Sequence, residues 1–530
     1  MFDDEKKVSR MMVEEKKIMS KSRVNLGSFF RGMVYILPAL LFFSYYPLIH
    51  FGSSESMNFE VSLPLIWLVL FDILSFIILL KRKMLKGILK KWVWLLFPIF
   101  LSLSVLWSLN SLRGLFTVGI LWLLYFAIYS LFSLKSLFSD DGVKEVFWKW
   151  FFLSAILICF WCFLQCILDL TGVNRGYSLM CAGCTYTMFG FPHPNGFSIE
   201  PQFMGNLLLA PGLVAGFWFI KTKVNSANSV LKKIGENEKV KFYDRPLLWG
   251  ILYFIFVATL FLTFSRGAIY SFIVATIFLT VFEFVRMKNW RAMVLWPIIV
   301  LAFLFTLNLQ GVFSEISKTN DTYMNGVTKV IDHMTLGIVD FTEDNEELGN
   351  NEALENNEGL KGDEDMGGSE GSEGNEKLSE EIGNEKGTTE DESSAVFDGY
   401  VEESTNARLK LTDSALKVWS KDFMTMMFGV GIGGAGQSLY VNGLTETPKE
   451  IVQNQYASLL LEIGIVGILL FILSLVLVIR VVSKSSMEIL VLALMIGYGI
   501  SLCFFSGLPN ALQIYLLPGV IMVVGVATLS

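Results

Sequence analysis

Charge is what this 530-residue sequence has least of: Asp, Glu, Lys and Arg together make 17% of it, against about 25% in an ordinary soluble protein. That scarcity excludes a water-facing globular domain for most of the chain. Several signatures are missing as well. No Gly-Lys-Ser/Thr follows its glycine-rich stretch, so there is no Walker phosphate loop. No His-Glu-x-x-His, Asp-x-Asp or Ser-His-Asp order stands out, and no residues are nominated to hold a metal or a cofactor. Nothing points to a nucleic-acid partner.

What fills the space is apolar: 53% hydrophobic and 14% aromatic residues, with a mean hydropathy of +0.54. Uncharged runs of about 18 to 24 residues recur from Met33 onward, each long enough to cross a bilayer as a helix. The pattern predicts an all-α polytopic membrane protein with about 12 transmembrane helices. The spans fall near 33–51, 61–80, 92–109, 114–133, 148–170, 202–220, 247–264, 267–285, 292–309, 455–479, 488–505 and 512–529. Roughly thirty polar residues precede the first span, too long a lead for a cleaved signal peptide.

Basic residues in the short connections set the orientation. Alternate connections carry Lys6 to Arg31, then Lys81 to Lys91, Lys232 to Arg245, Arg286 to Arg291, and Arg480 with Lys484. These, with both termini, are expected on the cytoplasmic side. The opposite short connections contain only Arg113, Arg175 and Arg266, and no lysine. Residues 343–403 contain 22 Asp or Glu against three Lys, a balance of −19 that leaves +12 on the rest of a chain totalling −7. A positive membrane body suits the anionic cytoplasmic lipid surface.

The expected organisation is a cytoplasmic segment 1–32, helices one to nine over 33–309, an extracytoplasmic loop 310–454 and helices ten to twelve over 455–530. Within the loop, 343–394 is Glu/Gly/Asn/Ser-rich and nearly free of aromatics, so it cannot bury enough surface to fold. It lacks the register of a calcium loop. Residues 405–454 regain an ordered character, with an amphipathic helix from Asn406 to Trp419 and the turn Gly429-Val-Gly431-Ile-Gly433-Gly434.

Candidate chemistry gathers on the same expected outer face. Arg266 sits in Thr263-Phe-Ser265-Arg266-Gly267-Ala268, where a guanidinium either snorkels to the interface or offers a fork for phosphate. Arg408 and Arg175 are lone arginines on the same lysine-poor face, and together the three suggest a pyrophosphate clamp. In Pro192-His193-Pro-Asn195-Gly-Phe-Ser198-Ile-Glu200-Pro201, Glu200 is either an acid or base raised by desolvation, or a carboxylate beside a helix N-terminus. His193 is a second base candidate, or a loop histidine. The amides of Gly431 and Gly433 could approach phosphate, or the run could be only a tight turn. Cys181 and Cys184 read as a disulfide or free thiols, and Cys159, Cys162 and Cys166 as packing residues. Two ionisable residues inside spans, Asp72 and Glu283, are expected near cytoplasmic helix ends.

The Phe-Ser265-Arg266-Gly267-Ala268 turn resembles the O-antigen ligase and polysaccharide polymerase superfamily. So does the order Arg408, Trp419, Gly429-x-Gly431-x-Gly433, the polar pair Gln453-Asn454, then Glu462-x-Gly464-x-x-Gly467. The likeness spans roughly residues 195–480. It implies an all-helical, metal-independent, inverting glycosyltransferase in the bacterial cytoplasmic membrane, with no cofactor. It also implies an undecaprenyl-pyrophosphate-linked oligosaccharide as substrate, with a flippase and a chain-length regulator as partners. Under it, Arg266 and Arg408 take the catalytic arginine roles, while Gln453 and Asn454 stand where many ligases have a His-Asn-like pair. Because Gln453 cannot serve as a base, that departure favours joining of repeat units over transfer to a lipid acceptor. A flippase or secondary transporter is the expectation from another class, although no matching halves support it.

Overall fold

The computed structural model describes residues 26–43, 47–51, 59–84, 92–138, 140–170, 187–188, 191–222, 245–317, 327–328, 330–331, 392–482, 487–506 and 512–526. The chain divides into two compact units, Met1–Thr319 with Arg408–Ser530, and Asn320–Ala407. The first contains every candidate site residue discussed below.

Helices dominate. In chain order they are α1 (Leu26–Phe43), α2 (Leu63–Lys81), α3 (Leu96–Ser104), α4 (Ser111–Ser133), α5 (Asp141–Leu170), α6 (Pro201–Lys221), α7 (Pro246–Leu262), α8 (Arg266–Met287) and α9 (Leu295–Ser317). Then come α10 (Glu392–Trp419), α11 (Phe423–Phe428), α12 (Ala435–Val441), α13 (Gln455–Val482), α14 (Glu488–Phe504) and α15 (Leu512–Val526). Two small antiparallel hairpins interrupt them: β1 (Pro47–Phe51) with β2 (Phe59–Ser62), and β3 (Thr187–Met188) with β4 (Phe191–Pro192). Among the described residues, eight helices are long and apolar enough to cross a membrane, and four shorter apolar ones accompany them. The protein is an all-α polytopic membrane protein.

The hydropathy runs and the helices coincide closely, with one displacement. The first span lies at Leu26–Phe43 and not at 33–51. Pro47 has no N–H and restricts its predecessor, and the apolar residues from Pro47 onward enter the β1 strand. A second expectation also fails: Asp72 lies mid-helix, the tenth residue of the 19-residue α2, and is buried.

α6 is the central post. Of its spanning window 83% is buried, against 17% for α13, which faces outward along most of its length. α6 packs against α7, α8 and α14, and α8 runs along α14. Close approach depends on small residues: a methyl on Gly205 would lie 2.8 Å from the Ala268 Cβ, and one on Gly212 would lie 2.7 Å from the Phe272 ring. At the far end of α6 the buried Glu283 meets Lys221 at 2.7 Å. There Asn289 Nδ2 also donates to the Ile220 carbonyl at 3.1 Å and Arg291 donates to the Thr222 carbonyl. Cys159, Cys162 and Cys166 are buried in α5.

Candidate functional site

The opposite end of α6 begins with a chain segment drawn into the protein. Phe191 to Gly196 are all buried, which backbone polar groups tolerate only if they find partners. Gln165 on α5 supplies them: its Nε2 donates to the Gly196 carbonyl at 3.0 Å and to Asn195 Oδ1 at 3.2 Å, and its Oε1 accepts from Gly196 N–H at 2.8 Å. Gln310 Nε2 on α9 donates to the Pro192 carbonyl at 2.9 Å. Gly196 has φ 62°, and a Cβ there would meet Met204 Sδ at 2.7 Å, so the turn requires glycine. His193 is 9% exposed, so it is not a surface loop histidine.

This segment ends at Glu200, which precedes Pro201, the first residue of α6. Its side chain makes no capping hydrogen bond, which leaves the dipole at the helix N-terminus as its structural role there. Burial pushes its carboxyl above the ordinary value, and the Arg408 guanidinium opposes the shift. Glu200 and Arg408, 208 positions apart in sequence, therefore act on each other electrostatically.

Arg266 opens α8 immediately after a strained turn. Phe264 holds φ at 47°, a left-handed conformation that costs a non-glycine residue about 1–2 kcal/mol. Its ring stacks on Phe191 at 6.2 Å, tying this turn to the buried segment. A cation at a helix N-terminus faces the positive end of the dipole, so Arg266 is poorly placed for stability alone. Ser265 does not cap the helix, and its buried Oγ has no hydrogen-bond partner among the described residues. Tyr270, one turn on, lies within reach of the Arg266 charge. Phe504 joins the two turns: its carbonyl accepts from Gln202 Nε2 at 2.8 Å, and Gly267 is pressed against its side chain.

The glycine-rich turn has a different neighbour. α13 is broken at Gly464, with φ 61° and ψ −171°. The break frees the carbonyls of Leu461 and Glu462, which accept from the N–H groups of Val430 and Gly431 at 2.9 Å each. Gly429 and Gly464 interlock: a Cβ on the former would collide with the Glu462 carbonyl, and one on the latter with that of Met427. Gly431 is likewise packed on the Ser108 backbone, while Gly433 abuts Gly114. The N–H groups from 429 to 432, and those of 434 and 435, have partners in the chain, Ala435 N–H donating to Glu462 Oε1 at 3.4 Å. This geometry favours the tight-turn reading of the run over phosphate binding. Behind it, Ala415, Val418, Leu439, Val452 and Leu461 bury a small core joining α10, α12 and α13.

Among the remaining candidates, Asn454 Oδ1 caps α13 by accepting from Tyr456 and Ala457 N–H at 3.0 and 3.1 Å. Gln453 is exposed beside it. Arg175, Cys181 and Cys184 lie outside the described residues, as does most of the acidic stretch. Three residues not nominated from sequence stand out. Gln165 positions the buried segment, and Glu462 accepts from the glycine turn while the charge of Arg113 acts on it. A carboxylate inside a membrane span between Leu461 and Gly464 is a signal in itself. Arg113 is marked in the sequence only as one of three arginines in the lysine-poor connections, and Gln165 carries no signal.

Residues 251–472 match the family model for O-antigen ligase. No curated protein and no solved structure matches the chain. The matched region covers the Arg266 turn, Arg408, the glycine lock and the broken α13, and it supports the likeness to the O-antigen ligase and polysaccharide polymerase superfamily.

Proposed function

Taking the match of residues 251–472 to the O-antigen ligase family as premise, we propose that the protein joins oligosaccharide repeat units carried on undecaprenyl pyrophosphate, at the outer face of a bacterial cytoplasmic membrane. What supports this reading is that the Arg408 charge acts on Glu200, at the end of the bundle where Arg266 opens α8. Two guanidiniums offer forked donors for a pyrophosphate, and a partly desolvated carboxyl offers a base.

In the proposed step a hydroxyl of the receiving glycan attacks the anomeric carbon of the lipid-linked chain. The new C–O bond forms as the bond to pyrophosphate breaks with inversion, and the hydroxyl proton passes to Glu200. The lipid pyrophosphate departs with the electron pair, its charge stabilised by Arg266 and Arg408. His193 stands seven residues before Glu200 as the alternative base, and Arg175 as a further phosphate contact. The absence of a histidine at Gln453 supports repeat-unit joining over transfer to a lipid or protein acceptor. A flippase and a chain-length regulator are the partners this reading calls for.

The test is the lipid-linked glycan and surface polysaccharide of a deletion strain, complemented with wild type and with Arg408→Ala. Loss of high-mass polymer, with single repeats accumulating on the carrier and no rescue by Arg408→Ala, is the expected result. Long polymer that stays on its carrier would make the protein a ligase. Repeats trapped on the cytoplasmic face would make it a transporter and end the catalytic assignment.

A further inference from the structure

A helix as short as α11 cannot span a bilayer, yet its sequence Phe-Met-Thr-Met-Met-Phe is apolar at every position but one. None of these residues is buried. Phe423 and Met424 are 69% and 64% exposed, and Phe428 is exposed as well. Large apolar side chains gathered on a held element call for something apolar to cover them. We propose that α11 is an interfacial anchor, lying in the bilayer surface with Met424 and Phe428 turned to the lipid chains. The inference stands apart from the transferase reading.

The surface that α11 joins identifies lipid as the cover. Met424 and Phe428, four residues apart, share one face of the helix. Phe428 meets Trp107 edge-on at 6.5 Å. Trp107 ends the apolar helix Val93–Trp107, which contains α3 and belongs with the shorter apolar helices of the membrane body. Along that helix Ile99, Leu103 and Leu106 are exposed, Leu106 at 81%, and a stripe of this kind on a polytopic membrane protein faces lipid. The apolar surface therefore passes from the membrane body through Trp107 onto α11. Tryptophan is the side chain that the boundary between hydrocarbon and water favours.

The backbone suits that setting, because its end groups find partners within the protein. At the start of α11, Asp422 Oδ1 accepts from Thr425 N–H at 2.9 Å and the Asp422 carbonyl accepts from Met426 N–H at 3.0 Å. At its end, the Thr425 carbonyl accepts from Gly429 N–H at 2.9 Å, and the Met426 carbonyl accepts from Trp419 Nε1 at 3.1 Å. Polarity changes abruptly at the cap. Ser420, Lys421 and Asp422 are exposed, and Lys421 Nζ donates to Asn442 Oδ1 at 3.0 Å. A charged step followed at once by an apolar turn is the profile of a segment entering the headgroup boundary. Because α11 follows α10 directly, the anchor also fixes, relative to the bilayer, the end of the helix that carries Arg408.

The experiment uses the full-length protein in liposomes of phosphatidylethanolamine and phosphatidylglycerol. Phe423→Cys, Met424→Cys and, as a control at an exposed polar position, Glu446→Cys each carry a fluorescent thiol label. The background is Cys181→Ser, Cys184→Ser and Cys503→Ser. A nitroxide-bearing phospholipid should quench the labels at 423 and 424 at least about threefold more strongly than the label at 446, and aqueous iodide should show the reverse order. Iodide reaching position 424 as freely as position 446 would overturn the anchor. Protection from both quenchers would mean that a protein, a second copy included, covers the helix, and would overturn it too. The wild-type protein supplies a check that needs no substitution. A photoreactive phospholipid should label Phe423–Phe428 as well as the outward-facing length of α13, and labelling of α13 without α11 would again overturn the proposal.

Discussion

Gly429 and Gly464 occupy each other's missing side chains: each presents bare backbone where the other's chain segment passes, and both have positive φ. Two glycine motifs 35 positions apart are therefore one interlock between the segment before α12 and the break in α13. Either Gly429→Ala or Gly464→Ala combines left-handed strain with backbone overlap, at a cost of about 3 kcal/mol or more. The double variant should be less than additive, because both substitutions open the same contact. Thermal unfolding of the detergent-solubilised protein measures this, and a variant melting with wild type would remove the interlock from the account of stability.

Glu200 makes the activity depend on pH with a definite sign. A base must be ionised, so the rate should rise with pH through a value above the ordinary 4.5 of a glutamate. Arg408→Gln removes the charge that favours the carboxylate, so the acidic limb of its residual activity should move to higher pH. A limb unmoved in that variant would separate the two residues.

The same shift speaks to stability. A carboxyl raised in the folded state binds its proton more tightly there than in the unfolded chain. Its stabilising contribution is complete below the ordinary value and is lost as pH climbs through the raised one. Glu200→Gln should thus abolish transfer while melting no lower than wild type at pH 7, whereas a lower melting point would make Glu200 a structural residue.

Arg266→Lys should impair transfer as severely as Arg266→Ala, because a point charge does not reproduce a bidentate fork. Full activity of the lysine variant would rule out the clamp.

Lys221→Met leaves Glu283, wholly buried, without its partner. Breaking a buried pair from one side costs about 3–5 kcal/mol, while replacing both partners with apolar residues is often near neutral. Lys221→Met should lower the melting point sharply, and adding Glu283→Leu should restore much of it. A double variant no better than the single would show that the pair does more than compensate charge.

The helices were legible because the bilayer imposes one requirement, an uncharged run of sufficient length, and hydropathy reads that directly. It failed where the requirement was already met early: an apolar run continued past Phe43, but Pro47 turned it into a strand. Asp72 was misplaced although the expected span 61–80 and the helix Leu63–Lys81 agree to within two residues, and both put it near the middle. Of the candidate site residues, Arg266, Arg408 and Glu200 drew notice as rare charges on an apolar background. Gln165 did not, because an uncharged amide in a span looks ordinary until its partners are known, and Arg113 was seen only as one of three arginines in the lysine-poor connections. The glycine run was seen, yet its purpose depended on a break in a helix thirty residues later, which no local pattern announces.

That break bears on how the protein is made. A helix entering lipid with open carbonyls at Leu461 and Glu462 carries a penalty of several kcal/mol for each unsatisfied group, and α13 cannot close the gap from within itself. The groups that close it belong to Val430 and Gly431, which leave the ribosome first. Insertion of α13 and docking of the preceding module are then a single biogenesis step, and a nascent chain stalled before Gly429 can be grafted would present the translocon with a helix that does not settle. Damage to the module would surface as a membrane-insertion defect and as early degradation, well before any enzyme assay could register it.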